Sequence, residues 1–461
     1  MKSETIPAMH RLRSFHLSPA VRLLSPVACL LTIVAATTAS AQIAEHVTRA
    51  KIDGIDVIAY PTGVKDVVTI HGALPAGDAY AGDGNIAIPT LVGMMLDKGT
   101  TTEDKFAITE KLERVGASIG FDVGTDTANV EAKCLKQDVP LVIGLLAEQL
   151  RSPAFAADEF EKAKKQFIGG LQRQLESTDF RAADAFTRAV YPVGHPNRQP
   201  SAEEFIAAAE KATLDEAKAF HAKYYGPAHF TLVVVGDLDV PQIQSELTKS
   251  FTGWTGGADF IHPAKATATD APQDQNVFMA DKTSVSVVIG QATGLRYSDP
   301  DAQALRVGTT ILGSGFTGRL MSNVRDKEGL TYGIGSSVAR DTFTDGDWHI
   351  SATFAPALLE KGIASTKRQL DRWYQDGVTD EELARRKADL IGSFKVGLAT
   401  TDGMAGTILT AVERGYNVDW LDNYPKIIDA LTTSGINATI KKYLDPEKMY
   451  IVKAGTIPGA K

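Results

Sequence analysis

The stretch KYYGPAHFTLVVVG, Lys223 to Gly236, is answered later in the chain by KYLDPEKMYIVKAG, Lys442 to Gly455, with Lys, Tyr, Pro, Val and Gly at matching offsets. In both copies a helix-like segment ends, a proline marks the turn, and an apolar run reading as a strand follows. A second pair, DEFEKAKKQFIGG from Asp158 and DEELARRKADLIGS from Asp380, repeats at nearly the same separation. Self-similarity at half the chain length predicts one folding unit used twice. Between the copies, Gly256 to Gln275 (GGADFIHPAKATATDAPQDQ) lacks periodicity and is rich in Ala, Pro, Thr and Asp. It reads as the linker between a first domain at 42–255 and a second at 276–461.

Within each half, alternating runs such as VFMADKTSVSVVIGQ and DGDWHISATFAP are interleaved with amphipathic stretches such as LLEKGIASTKRQLDRWYQDG. A period of two predicts sheets with one face covered, so the fold class is α+β: two homologous domains in tandem, each a mainly antiparallel sheet covered by helices.

Residues 1–41 stand apart. Arg11, Arg13 and Arg22 precede the apolar run VACLLTIVAA, and Ala39, Ser40 and Ala41 follow it, the pattern of a secretory signal peptide. The run is too short for a stable membrane anchor. Secretion, to the periplasm, is the expected destination. Removing this segment takes away four cations and one anion, moving the formal charge from −8 to −11. An acidic surface with dispersed Lys and Arg argues against nucleic acid and against an anionic membrane surface as partners. Cys29 lies inside the apolar run, so Cys134 is the one cysteine of the remaining chain. No internal disulfide can form there, and Cys134 reads as a buried apolar residue.

The stretch GNIAIPTLVGMMLDKGT, Gly84 to Thr100, gives the chain its family resemblance. The chain resembles the pitrilysin/insulinase and mitochondrial-processing-peptidase zinc peptidases, inverzincins whose first half carries HxxEH on a helix. Read back from Lys98, Gly99 and Thr100, the resemblance puts Thr90 and Met94 at the two histidine positions and Gly93 at the glutamate position. The third ligand, a glutamate on a later helix, aligns with Gly169 and Gly170. Positions i, i+3 and i+4 share a helix face, which lets the family aim two imidazoles and a general base at one zinc. Here that face holds neither a zinc ligand nor a base. Glu159 and Glu161, two apart, point to different faces and read as solvated helix charges. His195, His221, His229 and His262 show no ligand-like spacing and read as core or surface histidines.

In the second half, GRLMSNVRDKEGLTYGIGSS matches another family signature through Arg325 and Tyr332. The resemblance implies that this pair, given by the half without zinc, binds the peptide backbone near the scissile bond. A tyrosine hydroxyl can donate to a carbonyl oxygen as it becomes an oxyanion, and a guanidinium can hold carbonyls in a fixed fork. The other reading leaves Arg325 paired with Asp326 or Glu328 on the helix surface and Tyr332 as an ordinary strand aromatic. GSGFTG, Gly313 to Gly318, satisfies GxGxxG, but DAQALRVGTTIL before it has helical spacing, so its glycines read as a helix stop and tight turn.

The expectation is a chain with no zinc of its own, serving as the non-catalytic subunit of a heteromeric secreted zinc peptidase. Arg325 and Tyr332 would complete the site of an HxxEH-bearing homologous partner that carries the zinc and acts on a peptide. The alternative is a scaffold with no part in proteolysis.

Overall fold

The computed structural model describes residues 43–261, 265, 266, 269 and 273–459. The expected signal peptide, Cys29 and His262 lie outside them.

The strands are β1 (Thr48–Ile52), β2 (Ile55–Pro61), β3 (Val67–Leu74), β4 (Ser118–Val123), β5 (Ala128–Leu135), β6 (Thr231–Gly236), β7 (Asp274–Phe278), β8 (Val285–Ala292), β9 (Thr331–Ala339), β10 (Asp347–Phe354) and β11 (Tyr450–Gly455). They form two sheets, ordered β1-β2-β6-β3-β5-β4 and β7-β11-β8-β10-β9. Each is antiparallel apart from one parallel pair, β2 with β6 and β7 with β11. The α+β expectation holds, and the two sheets share one topology, the first carrying β1 in addition.

The duplication extends to register. Val68 faces Gly236 across β3 and β6, as Val285 faces Gly455 across β8 and β11. Both glycines have positive φ, 148° and 142°. A Cβ would stand 2.0 Å from the Val67 carbonyl oxygen in the first and 2.6 Å from that of Ser284 in the second. The glycine ending each sequence repeat is therefore required by a neighbouring backbone.

The sheets are not covered on one face only. In β6 Leu232 and Val234 point into the main core of the first half, while Val233 and Val235 are equally buried in a separate cluster on the opposite face. That is why TLVVVG is continuously apolar and does not alternate. The second cover comes from the other half of the chain. Helix Thr401–Glu413 lies on β3 and β6 of the first sheet, and helix Thr178–Val190 lies on β8 and β11 of the second. The chain thus exchanges helices between its halves.

The two exchanged helices begin alike. Ser177 and Thr400 cap them, accepting from the Phe180 and Gly403 amides. Thr178 then shares a 2.8 Å hydrogen bond with Ser286 of β8, and Thr401 shares one of 2.8 Å with Thr69 of β3. Ser286 and Thr69 occupy the same place in the two registers. Next, Asp179 accepts from Ser286, and Asp402 lies 3.0 Å from His71 Nε2. This Ser/Thr-Thr-Asp echo escaped the sequence analysis.

The described part of the linker is fastened to both halves. Tyr80 donates to the Asp259 carbonyl at 3.1 Å, and Phe260 stacks on Phe343 with centroids 5.2 Å apart.

Candidate functional site

Thr90, Gly93 and Met94 lie on helix Ile88–Met95, which packs among β4, the 157–175 helix and the 214–224 helix. Thr90 is committed: its hydroxyl donates to Asp78 Oδ1 at 2.8 Å. Gly93 is buried, and a Cβ there would stand 2.3 Å from Val123 Cγ2. The space a side chain would take here, at the position the resemblance aligns with the family's glutamate, is therefore filled by a valine of β4. Met94 is half-buried against the first core. Gly169 and Gly170, on helix Ala157–Leu175, are different: a Cβ would meet only the Arg173 guanidinium, at 3.7 and 4.0 Å. Among the described residues no group of three or more His, Cys, Asp or Glu could hold a metal. These side chains do not fit zinc, which needs thiolate, imidazole or carboxylate donors.

Beside Thr90 lies a mostly apolar cavity of about 310 Å³, lined in part by Asp78, Thr90, Phe167, Leu171, Phe205 and Arg340. Burial pushes the Asp78 carboxyl up to about 7, against the opposing pull of the Thr90 hydrogen bond. Asp184, on the same wall, is raised by burial too, although Arg188 binds one of its oxygens at 2.6 Å. Arg340 comes from the second half and is tied to Asp347 at 2.7 Å.

Glu159 is not a solvated charge. It is buried, with Lys105 at 2.8 Å and Lys162 at 2.7 Å, and these hydrogen bonds, that of Lys105 foremost, hold its carboxyl below the usual range. Glu161 is exposed and pairs with Lys164 at 3.4 Å. The histidines are scattered. His195 is buried 3.3 Å from Asp345, His221 Nε2 is 2.8 Å from the Leu150 carbonyl oxygen, and His229 pairs with Asp259 at the surface. Cys134 is buried, and burial pushes its thiol up to about 12.

The second half brings Arg325 and Tyr332 together. Arg325 lies on a short π-helical segment, Met321–Lys327, in which the Glu328 amide reaches back to the Asn323 carbonyl at 3.0 Å. Wide turns of this kind concentrate at functional sites. Tyr332 stands at the start of β9, the edge strand of its sheet, and is 88% exposed. The Arg325 guanidinium carbon is 5.4 Å from the Tyr332 ring centroid. The surface pairing weighed as an alternative is not formed: Glu328 instead accepts from Ser365 at 2.9 Å and Arg368 at 3.0 Å. Among the described residues Arg325 has no carboxylate partner and the Tyr332 hydroxyl has no hydrogen bond.

Sequence reasoning missed Phe316. It is 70% exposed, and Arg325 lies over its ring as well, 5.2 Å from the centroid. Its one sequence signal was its place inside GSGFTG. There helix Ala302–Gly313 stops at the first glycine and Gly315 turns with φ 64°. A helix precedes the motif, so the strand that a dinucleotide site needs is not in place.

The two regions adjoin. Gly333, next to Tyr332, lines a cavity of about 510 Å³ between the 178–190 helix and the second sheet. That cavity shares Ala183 and Arg340 with the one beside Thr90.

Comparison with known proteins agrees with this geometry. Residues 59–197 match the family model described as Insulinase (Peptidase family M16), and residues 211–390 match that of the Peptidase M16 inactive domain. A relative from Helicobacter pylori, the non-peptidase homolog YmxG, is 23% identical over 425 residues, covering 91% of this chain and 95% of its own. The crystal structure of a peptidase M16 inactive domain from Pseudomonas fluorescens superimposes with a TM-score of 0.81 at 24% identity, over 90% of this chain and 99% of that one. The periplasmic protease PqqL from Escherichia coli gives 0.75 at 14% identity, covering 89% of this chain and 46% of its own. No helix among the described residues is long and apolar enough to cross a membrane. With both of the family's domains matched along one chain, the chain belongs to peptidase family M16, the insulinase family.

Proposed function

We propose that this chain is the non-catalytic subunit of a heteromeric, secreted zinc peptidase, and that Arg325 and Tyr332 complete the active site of an HxxEH-bearing homologous partner. One observation carries the reading: Arg325 and Tyr332 stand side by side at an exposed sheet edge, and among the described residues the arginine has no carboxylate partner and the tyrosine hydroxyl no hydrogen bond. Donors left unpaired in this way are open to a ligand. The partner would supply the zinc and the water it activates. Toward a peptide held across the two chains, the Arg325 guanidinium donates to main-chain carbonyls and fixes their position. The Tyr332 hydroxyl donates to the scissile carbonyl oxygen as negative charge gathers on it. The N-terminal segment and the likeness to a periplasmic protease favour the periplasm as the place of action.

The test is steady-state cleavage of a fluorogenic peptide by this chain reconstituted with such a partner, wild type against Tyr332→Phe. A loss of turnover with an intact complex supports the reading. Unchanged turnover assigns the chain to a scaffolding role.

A further inference from the structure

The glycine turn after the 302–313 helix serves no nucleotide, yet its geometry is demanding. A Cβ on Gly313 would stand 2.3 Å from the Ser336 backbone nitrogen, so the helix end is pressed onto β9. Gly315 adopts φ 64°, and a Cβ on Gly318 would come within 3.0 Å of the Ser314 nitrogen. These constraints fix a tight loop whose one large side chain, Phe316, is left 70% exposed. A phenyl ring in water gains nothing for the fold, but this one meets the Arg325 guanidinium at 5.2 Å while Tyr332 meets it at 5.4 Å. Cation–ring attraction restrains the long arginine without using its N–H groups. Those donors make no hydrogen bond among the described residues.

We propose that Phe316 is the positioning residue of the Arg325–Tyr332 site. The turn 313–318 stands its ring against Arg325, so the guanidinium presents its N–H groups, already oriented, to the main-chain carbonyls of an extended peptide. The ordering of arginine is then completed on folding and does not weaken peptide binding. The orienting role stands on the geometry alone; the peptide as ligand rests on the function proposed above.

The decisive measurement uses the full mature chain labelled with ¹³C,¹⁵N-arginine, the Arg325 Nε–Hε resonance being identified by its loss in Arg325→Lys. Ring currents should displace that resonance in the wild type. Phe316→Leu should move it toward the position of a free arginine, and Phe316→Tyr, which keeps an aromatic ring, should hold it. A resonance unmoved by Phe316→Leu overturns the proposal. With the reconstituted pair, Phe316→Leu should raise KM about two- to fivefold at unchanged kcat, the range expected for one exposed cation–ring contact. In an Arg325→Ala background the same change should add nothing. An undiminished effect there would mean that Phe316 touches the peptide itself, and the positioning role would fall. If neither Arg325→Ala nor Tyr332→Phe alters turnover, the trans-acting function fails, while the resonance shift still decides whether Phe316 orients the arginine.

Discussion

Val123 Cγ2 sits where a side chain on Gly93 would begin, 2.3 Å from an ideal Cβ. The helix face that the resemblance aligns with the family's metal motif is closed by β4 at this point. Gly93→Ala should destabilise the chain by about 1–3 kcal/mol through overpacking, although alanine is the better helix former. Val123→Ala in the same chain should recover part of that loss. Urea unfolding of the two single variants and the double variant measures it, and independent, additive losses would contradict the contact.

Restoring the motif on paper should not restore the metal. A chain carrying Thr90→His, Gly93→Glu and Met94→His together should hold no stoichiometric zinc after dialysis, because the glutamate collides with Val123 and the third ligand position is still Gly170. Elemental analysis by mass spectrometry reads the outcome, and about one zinc per chain would refute it.

Tyr332→Phe should leave the unfolding midpoint unchanged, since the hydroxyl is exposed and makes no hydrogen bond among the described residues. In the reconstituted complex the same variant should lower turnover by about 10²- to 10³-fold, the usual cost of losing one oxyanion donor. Thermal unfolding and peptide cleavage on one preparation separate the two effects.

Stability should fall as pH rises from about 5 to 8. Burial raises Asp78 to about 7, Asp126 to about 6 and Glu413 to about 7, from unfolded values of 3.8, 3.8 and 4.5. In that window the folded chain holds protons that the unfolded chain has released, so each rise in pH favours unfolding. Glu382, lowered to about 2 from 4.5, acts in the opposite sense only below that window, while His221, whose imidazole burial lowers, opposes the trend inside it as one group against three. Asp78→Asn should therefore be more stable than wild type at pH 8, by on the order of 1–3 kcal/mol, with the difference shrinking toward pH 4. Denaturant titrations at several pH values test the sign.

Cys134 should resist thiol reagents in the native chain and react only on unfolding, because burial holds it as the neutral thiol. Labelling with and without urea, read by mass, decides it.

Much of this was legible in sequence because it is local. The Pro and Gly repeats gave the duplication, and two glycines that tolerate no Cβ explain why those letters recur. The expected ligand positions and the Arg325–Tyr332 pair came from the family resemblance, which is carried by motifs on single elements. The helix exchange did not, because Thr401 meets Thr69 and Thr178 meets Ser286 across 332 and 108 residues, and no periodicity encodes such a partner. Phe316 was missed and Glu159 misread for the same reason: each meets a side chain on another element, Arg325 for one and Lys105 for the other.

The exchange of helices also bears on what each half does for the other. Cut at residue 255, the first sheet would lose the helix over Val233 and Val235, and the second would lose the one over Val288 and Val452. Neither half is a removable module. Deleting the first half would unroof the half that bears Arg325 and Tyr332. The first half is the second half's roof.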